Sequence, residues 1–96
     1  MVKLRSDSVD RLFQTILHLK TIDECYDFFE DLCTIRELKD ISQRLEVAAL
    51  LNKGMSYQEV ANRTGVSSTT IGRVKRCLEY GSGGYELALG KLEKTK

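Results

Sequence analysis

Four basic residues, Arg63, Arg73, Lys75 and Arg76, stand between positions 63 and 76 with no acid among them, and the run Ser67-Ser-Thr-Thr70 lies in the same segment. Guanidinium and ammonium groups neutralise phosphates, and an arginine can also grip the edge of a guanine with two parallel hydrogen bonds. Hydroxyls bond either kind of base, and a threonine methyl can touch a thymine methyl. Together these groups suit binding to double-stranded DNA, provided that a rigid element presents them on one face. Taken as charges alone they better suit a solvated helix face, so the surrounding elements have to decide.

The segment from Ser56 to Arg76 has the spacing of a helix-turn-helix. Ala61 is the small residue that lets two helices touch. Gly65 stands four positions later, where the turn needs a left-handed backbone, and Val66 closes the turn. Ile71 and Val74 supply the inner face of the second helix, and Ser67 is placed to cap it. The competing reading is an ordinary helical hairpin with a glycine turn. At about 100° per residue, Ile71, Val74 and Leu78 face the core while Thr69, Arg73, Arg76 and Tyr80 face the opposite way. Recognition helices meet base edges near their N-terminus. Ser68, Thr69, Thr70 and Gly72 are small or hydroxylated and would let this helix approach the groove floor. Arg73 and Arg76 are the candidates for guanine or phosphate contacts; Lys75, Arg63 and Gln58 are candidates for positioning on the backbone.

The rest of the chain supports these helices. Its 96 residues suit a single domain over 1–96, near the lower end for a comfortable core. With 42% hydrophobic residues and no proline, the composition is that of a globular helical protein. Thr21-Ile-Asp-Glu24, Thr34-Ile-Arg-Glu37 and Ser56-Tyr-Gln-Glu59 each read as a capping box at a helix start. Gly54 reads as a helix terminator, and Gly81-Ser-Gly-Gly84 as a loop. Apolar spacings of three and four predict an all-α fold of six helices, at about 7–19, 22–33, 35–53, 57–63, 68–80 and 84–93, with no sheet. The expected apolar faces are Val9, Leu12, Phe13, Ile16 and Leu17 on the first helix, and Cys25, Phe28, Phe29 and Leu32 on the second. On the third they are Ile35, Leu38, Ile41, Leu45 and Ala48, followed by Leu50 and Leu51.

Charge is divided along the chain. Residues 1–42 hold six Lys/Arg against nine Asp/Glu, and residues 43–96 hold nine against five, so an acidic first half precedes a basic second half. No constellation supports an enzyme. His18 is the sole histidine, with nothing beside it to make a triad. Asp23, Asp27, Glu30 and Asp31 read as a solvated face rather than a cation site, and the glycine loop lacks the Lys-Ser/Thr of a phosphate-binding loop. Cys25, Cys33 and Cys77 form no C-x-x-C pair and are expected to be reduced thiols, mostly buried, with no metal. No apolar run near the N-terminus is long enough for a signal or a membrane span, so a cytoplasmic protein with no membrane partner is expected.

These residues resemble the Trp repressor superfamily over Thr34 to Leu78, and the whole chain is similar to its TrpR-like YerC/YecD group. Glu24-Cys-Tyr-Asp-Phe-Phe-Glu-Asp-Leu-Cys-Thr34, Gln43-Arg-Leu-Glu-Val47 and Arg73-Val-Lys-Arg-Cys-Leu78 carry the closer likeness. The resemblance implies an intertwined homodimer, two recognition helices about one DNA turn apart, and a palindromic operator occupied by a transcriptional repressor. The continuously apolar Val47-Ala-Ala-Leu-Leu51 agrees with a dimer. The resemblance also implies a corepressor pocket at Thr34, Arg44, Thr70, Arg73 and Cys77. Cys77 stands where the repressor has a serine, and Val74 where it has a glycine beside the indole. A thiol is a weak hydrogen-bonding partner and a valine fills space. Tryptophan is therefore disfavoured, and another small-molecule corepressor remains open, as does an ion pair between Arg44 and a nearby acid. The rival functional reading is a protein-interaction module that keeps the helix-turn-helix without specific DNA binding.

Overall fold

A computed structural model describes residues 4–94. They form six helices and no strand: α1 Asp7–Leu17, α2 Ile22–Leu32, α3 Ile35–Asn52, α4 Tyr57–Thr64, α5 Ser68–Tyr80 and α6 Gly84–Lys94. Where length suggests a single domain, the chain resolves into two compact units that divide between Leu38 and Lys39.

In the first unit, each helix start is fastened by its own side chains. Ser6 accepts the Val9 N–H and opens α1, and Thr21 accepts the Glu24 N–H and opens α2. At α3 the capping box is complete: Glu37 N–H donates to the Thr34 hydroxyl, and Thr34 N–H donates to the Glu37 carboxylate at 2.9 Å. At α2 the return limb shifts by one residue. The Glu24 carboxylate takes the Lys20 N–H at 2.8 Å rather than that of Thr21, so the capping is split over two donors. Helix α1 is shorter than its pattern predicts. It ends at Leu17 because His18 takes the C-cap and Leu19 N–H bonds the Ile16 carbonyl three residues back, a tightened last turn.

No residue of α1 or α2 is fully buried. Phe28 and Phe29 meet edge to face at 5.4 Å, yet Leu17 is 81% exposed, Ile22 76% and Ile35 89%. The apolar faces that periodicity predicts therefore exist, but one chain does not cover them. On α3 the predicted face divides: Ala48 is buried, Ile35, Ile41 and Leu45 are exposed, and the neighbouring Val47 is the side chain that reaches full burial. In the first two turns of α3 Ile35 and Ile41 are exposed and Leu38 is half-buried, whereas Val47 and Ala48 nearer its C-terminal end join the core of the second unit.

The second unit holds the core. Val47, Ala48, Val60, Val66, Ile71 and Val74 are buried together, with Leu50, Leu51, Met55, Ala61, Leu78, Tyr85 and Leu89 packed against them. Tyr85 and Leu89 are four apart on α6, which explains how that helix docks. Two glycines are required here for different reasons. Gly65 has φ +72°, the left-handed conformation that a side chain resists, although a Cβ there would meet nothing within 4 Å. Gly81 has an ordinary φ of −85°, but a Cβ would run into the Cys77 carbonyl, which also accepts the Gly81 N–H at 2.8 Å.

Gly65→Val is expected to lower stability by about 1–3 kcal/mol through backbone strain alone, with Gly65→Asn milder because Asn tolerates the left-handed region. Denaturant unfolding of the two variants checks this, and equal stability for Val and Gly would show that the turn does not need the left-handed residue.

Candidate nucleic-acid interface

The local sequence of α4 and α5 accounts for the unit. Ser56 caps α4, with reciprocal bonds between Ser56 and Glu59 at 3.2 Å each. At the other end Gly65 N–H donates to the Ala61 carbonyl at 2.9 Å. Thr64 braces the turn in a way its type and spacing do not announce. Its hydroxyl donates to the Val60 carbonyl at 2.7 Å and accepts the Val66 N–H at 3.2 Å. Ser67 then caps α5, accepting the Thr70 N–H and donating its own hydroxyl to the Thr70 Oγ1. Val60 on α4, Val66 in the turn, and Ile71 and Val74 on α5 seal the inside.

With Ile71 and Val74 fixed inward, the outer face of α5 follows. Ser68, Thr69, Arg73 and Arg76 are exposed, and Thr70 and Gly72 are half-buried on its flanks. Arg63 is exposed in the last turn of α4, where a cation complements the helix dipole. Among the described residues, Arg63, Arg73 and Arg76 make no ion pair with any carboxylate, so their charge is available to a partner. Lys75 is placed differently from the arginines. Its ammonium lies 3.9 Å from the Glu79 carboxylate and 5.1 Å from the centre of the Tyr57 ring. Both partners of the ion pair are about half exposed, so solvent screens it and it holds Lys75 only loosely. Gln58 is exposed, and its amide donates to Asn62 at 3.2 Å.

A cavity of about 360 Å³ lies behind this face. Asp40, Gln43 and Arg44 line it from α3, Thr70, Arg73, Val74 and Cys77 from α5, and Tyr85 from α6. Arg44, Thr70, Arg73 and Cys77 of the expected pocket thus come together. Thr34 is not among the lining residues, and its hydroxyl is committed to the start of α3. Arg44 makes no ion pair among the described residues, although Asp40 shares the same wall. The sequence reading missed Asp40, Gln43 and Tyr85. The spacing of Asp40, Gln43 and Arg44 at i, i+3 and i+4 was a usable signal; Tyr85 required the tertiary fold.

The three thiols are free, but none is fully buried, contrary to the expectation from residue type. Cys77 is exposed because it stands between the buried Val74 and the outward Arg73 around α5. His18 is exposed, and its Nδ1–H donates to the Gln14 carbonyl at 2.7 Å, which is a helix-end contact. Among the described residues no group of three or more His, Cys, Asp or Glu could hold a metal, and no helix is long and apolar enough to cross a membrane.

Two short helices joined by a left-handed glycine, the second turning arginines and hydroxyls outward, define a helix-turn-helix protein. The chain belongs to the Trp repressor family: the family profile described as Trp repressor protein matches residues 7–93. It is 51% identical over 94 residues to the uncharacterized protein YerC of Bacillus subtilis, covering 98% of this chain and 90% of that one. A crystal structure of a TrpR-like protein from Eubacterium eligens superposes with a TM-score of 0.89 at 49% identity, covering 94% and 93% of the two chains. A Trp repressor candidate from Staphylococcus aureus gives a TM-score of 0.90 at 42% identity, covering 94% and 90%.

Two substitutions separate the seat of α5 from its outer face. Ile71→Ala should cost about 2–5 kcal/mol of stability, because a fully buried side chain is replaced by a cavity. Arg73→Ala should leave the melting temperature nearly unchanged and weaken binding to a specific duplex by about 1–3 kcal/mol. Calorimetry together with a titration of labelled DNA reads both; an unaltered affinity would remove Arg73 from the readout set.

Proposed function

We propose that this protein is a dimeric, sequence-specific DNA-binding regulator of transcription, a repressor that occupies a palindromic operator with α5 in the major groove. The observation that carries this reading is the two-sidedness of α5. Its inner residues are buried, while Thr69, Arg73 and Arg76 stand exposed, and among the described residues the two arginines make no ion pair. Ser68, Thr69, Thr70 and Gly72 add no bulk that would hold the helix off the bases. The mechanism is steric: the bound dimer excludes other proteins from the site, and no bond is made or broken. The reading puts the protein in the cytoplasm, with its DNA.

A second copy is the occupant that family membership and the exposed faces of α1 to α3 favour. Ile22, Ile35, Ile41 and Leu45 are more apolar surface than a small monomer ordinarily shows to water. Two-fold pairing would bury it and set two α5 helices on one side of the duplex. The rival reading, a helix-turn-helix that binds protein instead, draws on Tyr80, an exposed aromatic on the same outer face as the arginines.

The cavity behind α5 supports a small corepressor that is not tryptophan. Val74 walls it on the α5 side, and a lining that holds two guanidiniums and one carboxylate favours a compact anionic or zwitterionic molecule over a flat indole. Arg73 belongs both to this wall and to the outer face, so an occupant would bear on the side chain nearest the bases.

Selection of bound fragments from the host's genomic DNA, at near-physiological salt, is the decisive experiment. It should enrich a few palindromic sites. Binding that shows no sequence preference and fades with salt would sink the specific regulator and favour a protein partner. In a thermal-shift panel of amino acids and small carboxylates, a true corepressor at 100 times its Kd should add roughly 2.7 kcal/mol of stability. Tryptophan should add none, and Arg44→Ala should abolish the shift.

A further inference from the structure

We propose that Tyr57, on the first helix of the motif, donates a hydrogen bond from its phenolic hydroxyl to a DNA phosphate. The inference rests on the DNA-binding reading and extends it to a residue that the basic and hydroxylated positions do not include.

Tyr57 is the first residue of α4 and is 41% exposed. Its ring is held along one flank of α5 at two places. The phenolic oxygen lies beside Gly72, where a Cβ would sit 3.7 Å away, and the Lys75 ammonium stands 5.1 Å from the ring centre. Gly72 and Lys75 are one turn apart, so the ring runs along that flank with its hydroxyl toward the N-terminal half of α5. Ser68 is on the same flank one turn earlier, and Thr69 and Arg76 are next to it around the helix. Among the described residues the hydroxyl has no hydrogen-bond partner, whereas the neighbouring cap hydroxyls of Ser56, Thr64 and Ser67 are all engaged. Gly72 matters for a second reason here. A side chain at that position would be in contact with the phenol, and the glycine leaves the hydroxyl open to a partner.

Phosphate is the chemistry this donor fits. In a helix-turn-helix the first helix crosses the DNA backbone while the second reads bases, and a tyrosine hydroxyl is a common phosphate donor. The bond adds no charge, so it should strengthen binding without steepening the dependence on salt.

The test compares Tyr57→Phe with the unaltered full-length protein on two duplexes of equal length, one recovered from genomic selection and one of random sequence. The phenylalanine keeps the ring against Gly72 and Lys75 and deletes only the donor. The expected result is roughly tenfold weaker binding to both duplexes, as for one lost hydrogen bond to a charged group, with the salt slope and melting temperature unchanged. Unaltered affinity on both duplexes would overturn the assignment. So would a loss confined to the selected duplex, which would make the hydroxyl a base reader, or a lowered melting temperature, which would give it to the fold. If the unaltered protein binds neither duplex, the DNA-binding reading itself fails and this inference fails with it; binding by the parent with no change in the variant overturns the Tyr57 assignment alone.

Discussion

The seating of α5 against its own unit governs everything that the helix presents outward. Ile71 and Val74 are buried against Val60, Val66, Val47 and Ala48. A helix has only one rotational freedom about its axis, and two adjacent buried side chains remove it. Once those two are inside, positions 69, 73 and 76 are committed to the outside by a rotation of about 100° per residue. The cost of turning the helix would be the transfer of two branched apolar side chains to water, on the order of 3–6 kcal/mol. No charge on the surface contributes a comparable amount, since the ion pair that α5 makes, Lys75 with Glu79, is half exposed and screened.

The turn makes this seating possible. Five backbone and hydroxyl groups around Gly65 are paired locally: the Val60 and Ala61 carbonyls accept from the Thr64 hydroxyl and the Gly65 N–H, and the Val66 N–H is taken by the Thr64 hydroxyl. A buried turn with those groups unpaired would be expensive. With them paired, α4 can end and α5 begin within three residues. Tyr57 and Lys75 add a contact across the outer side of the same pair of helices. The motif is therefore held from within by apolar packing, at the turn by hydrogen bonds, and along one edge by a ring and an ammonium.

The first unit behaves differently. Its helix starts are capped as well as those of the second, yet it buries no side chain of α1 or α2 completely. Capping sets where a helix begins, at about 1 kcal/mol each, and leaves its apolar face in need of a partner. Leu17, Ile22 and Ile35 show that need in the single chain. A protein of this length has little surplus core with which to leave such surface open, which is why a second copy enters the functional proposal as a structural component.

The sequence by itself determined what depends on neighbours a few residues away. The six helices, the caps at Ser56, Thr34 and Ser67, the left-handed glycine and the inward side of α5 are local consequences of residue type and a 3.6-residue period. The family likeness was legible for the same reason, because its most specific parts are contiguous. What needed the tertiary structure was every relation between helices. On α3 Val47 joins the expected Ala48 in the core while Ile41 and Leu45 stay exposed, because burial depends on which helices arrive, and periodicity cannot say that. Cys77 is exposed although its type favours burial, and Tyr85 joins a wall with Asp40 and Arg44. Lys75 and Arg73 read alike as basic residues two apart. The Glu79 carboxylate beside Lys75 is four residues on along α5 and so is local, but only the fold lays the Tyr57 ring of α4 against Lys75, and among the described residues Arg73 makes no ion pair.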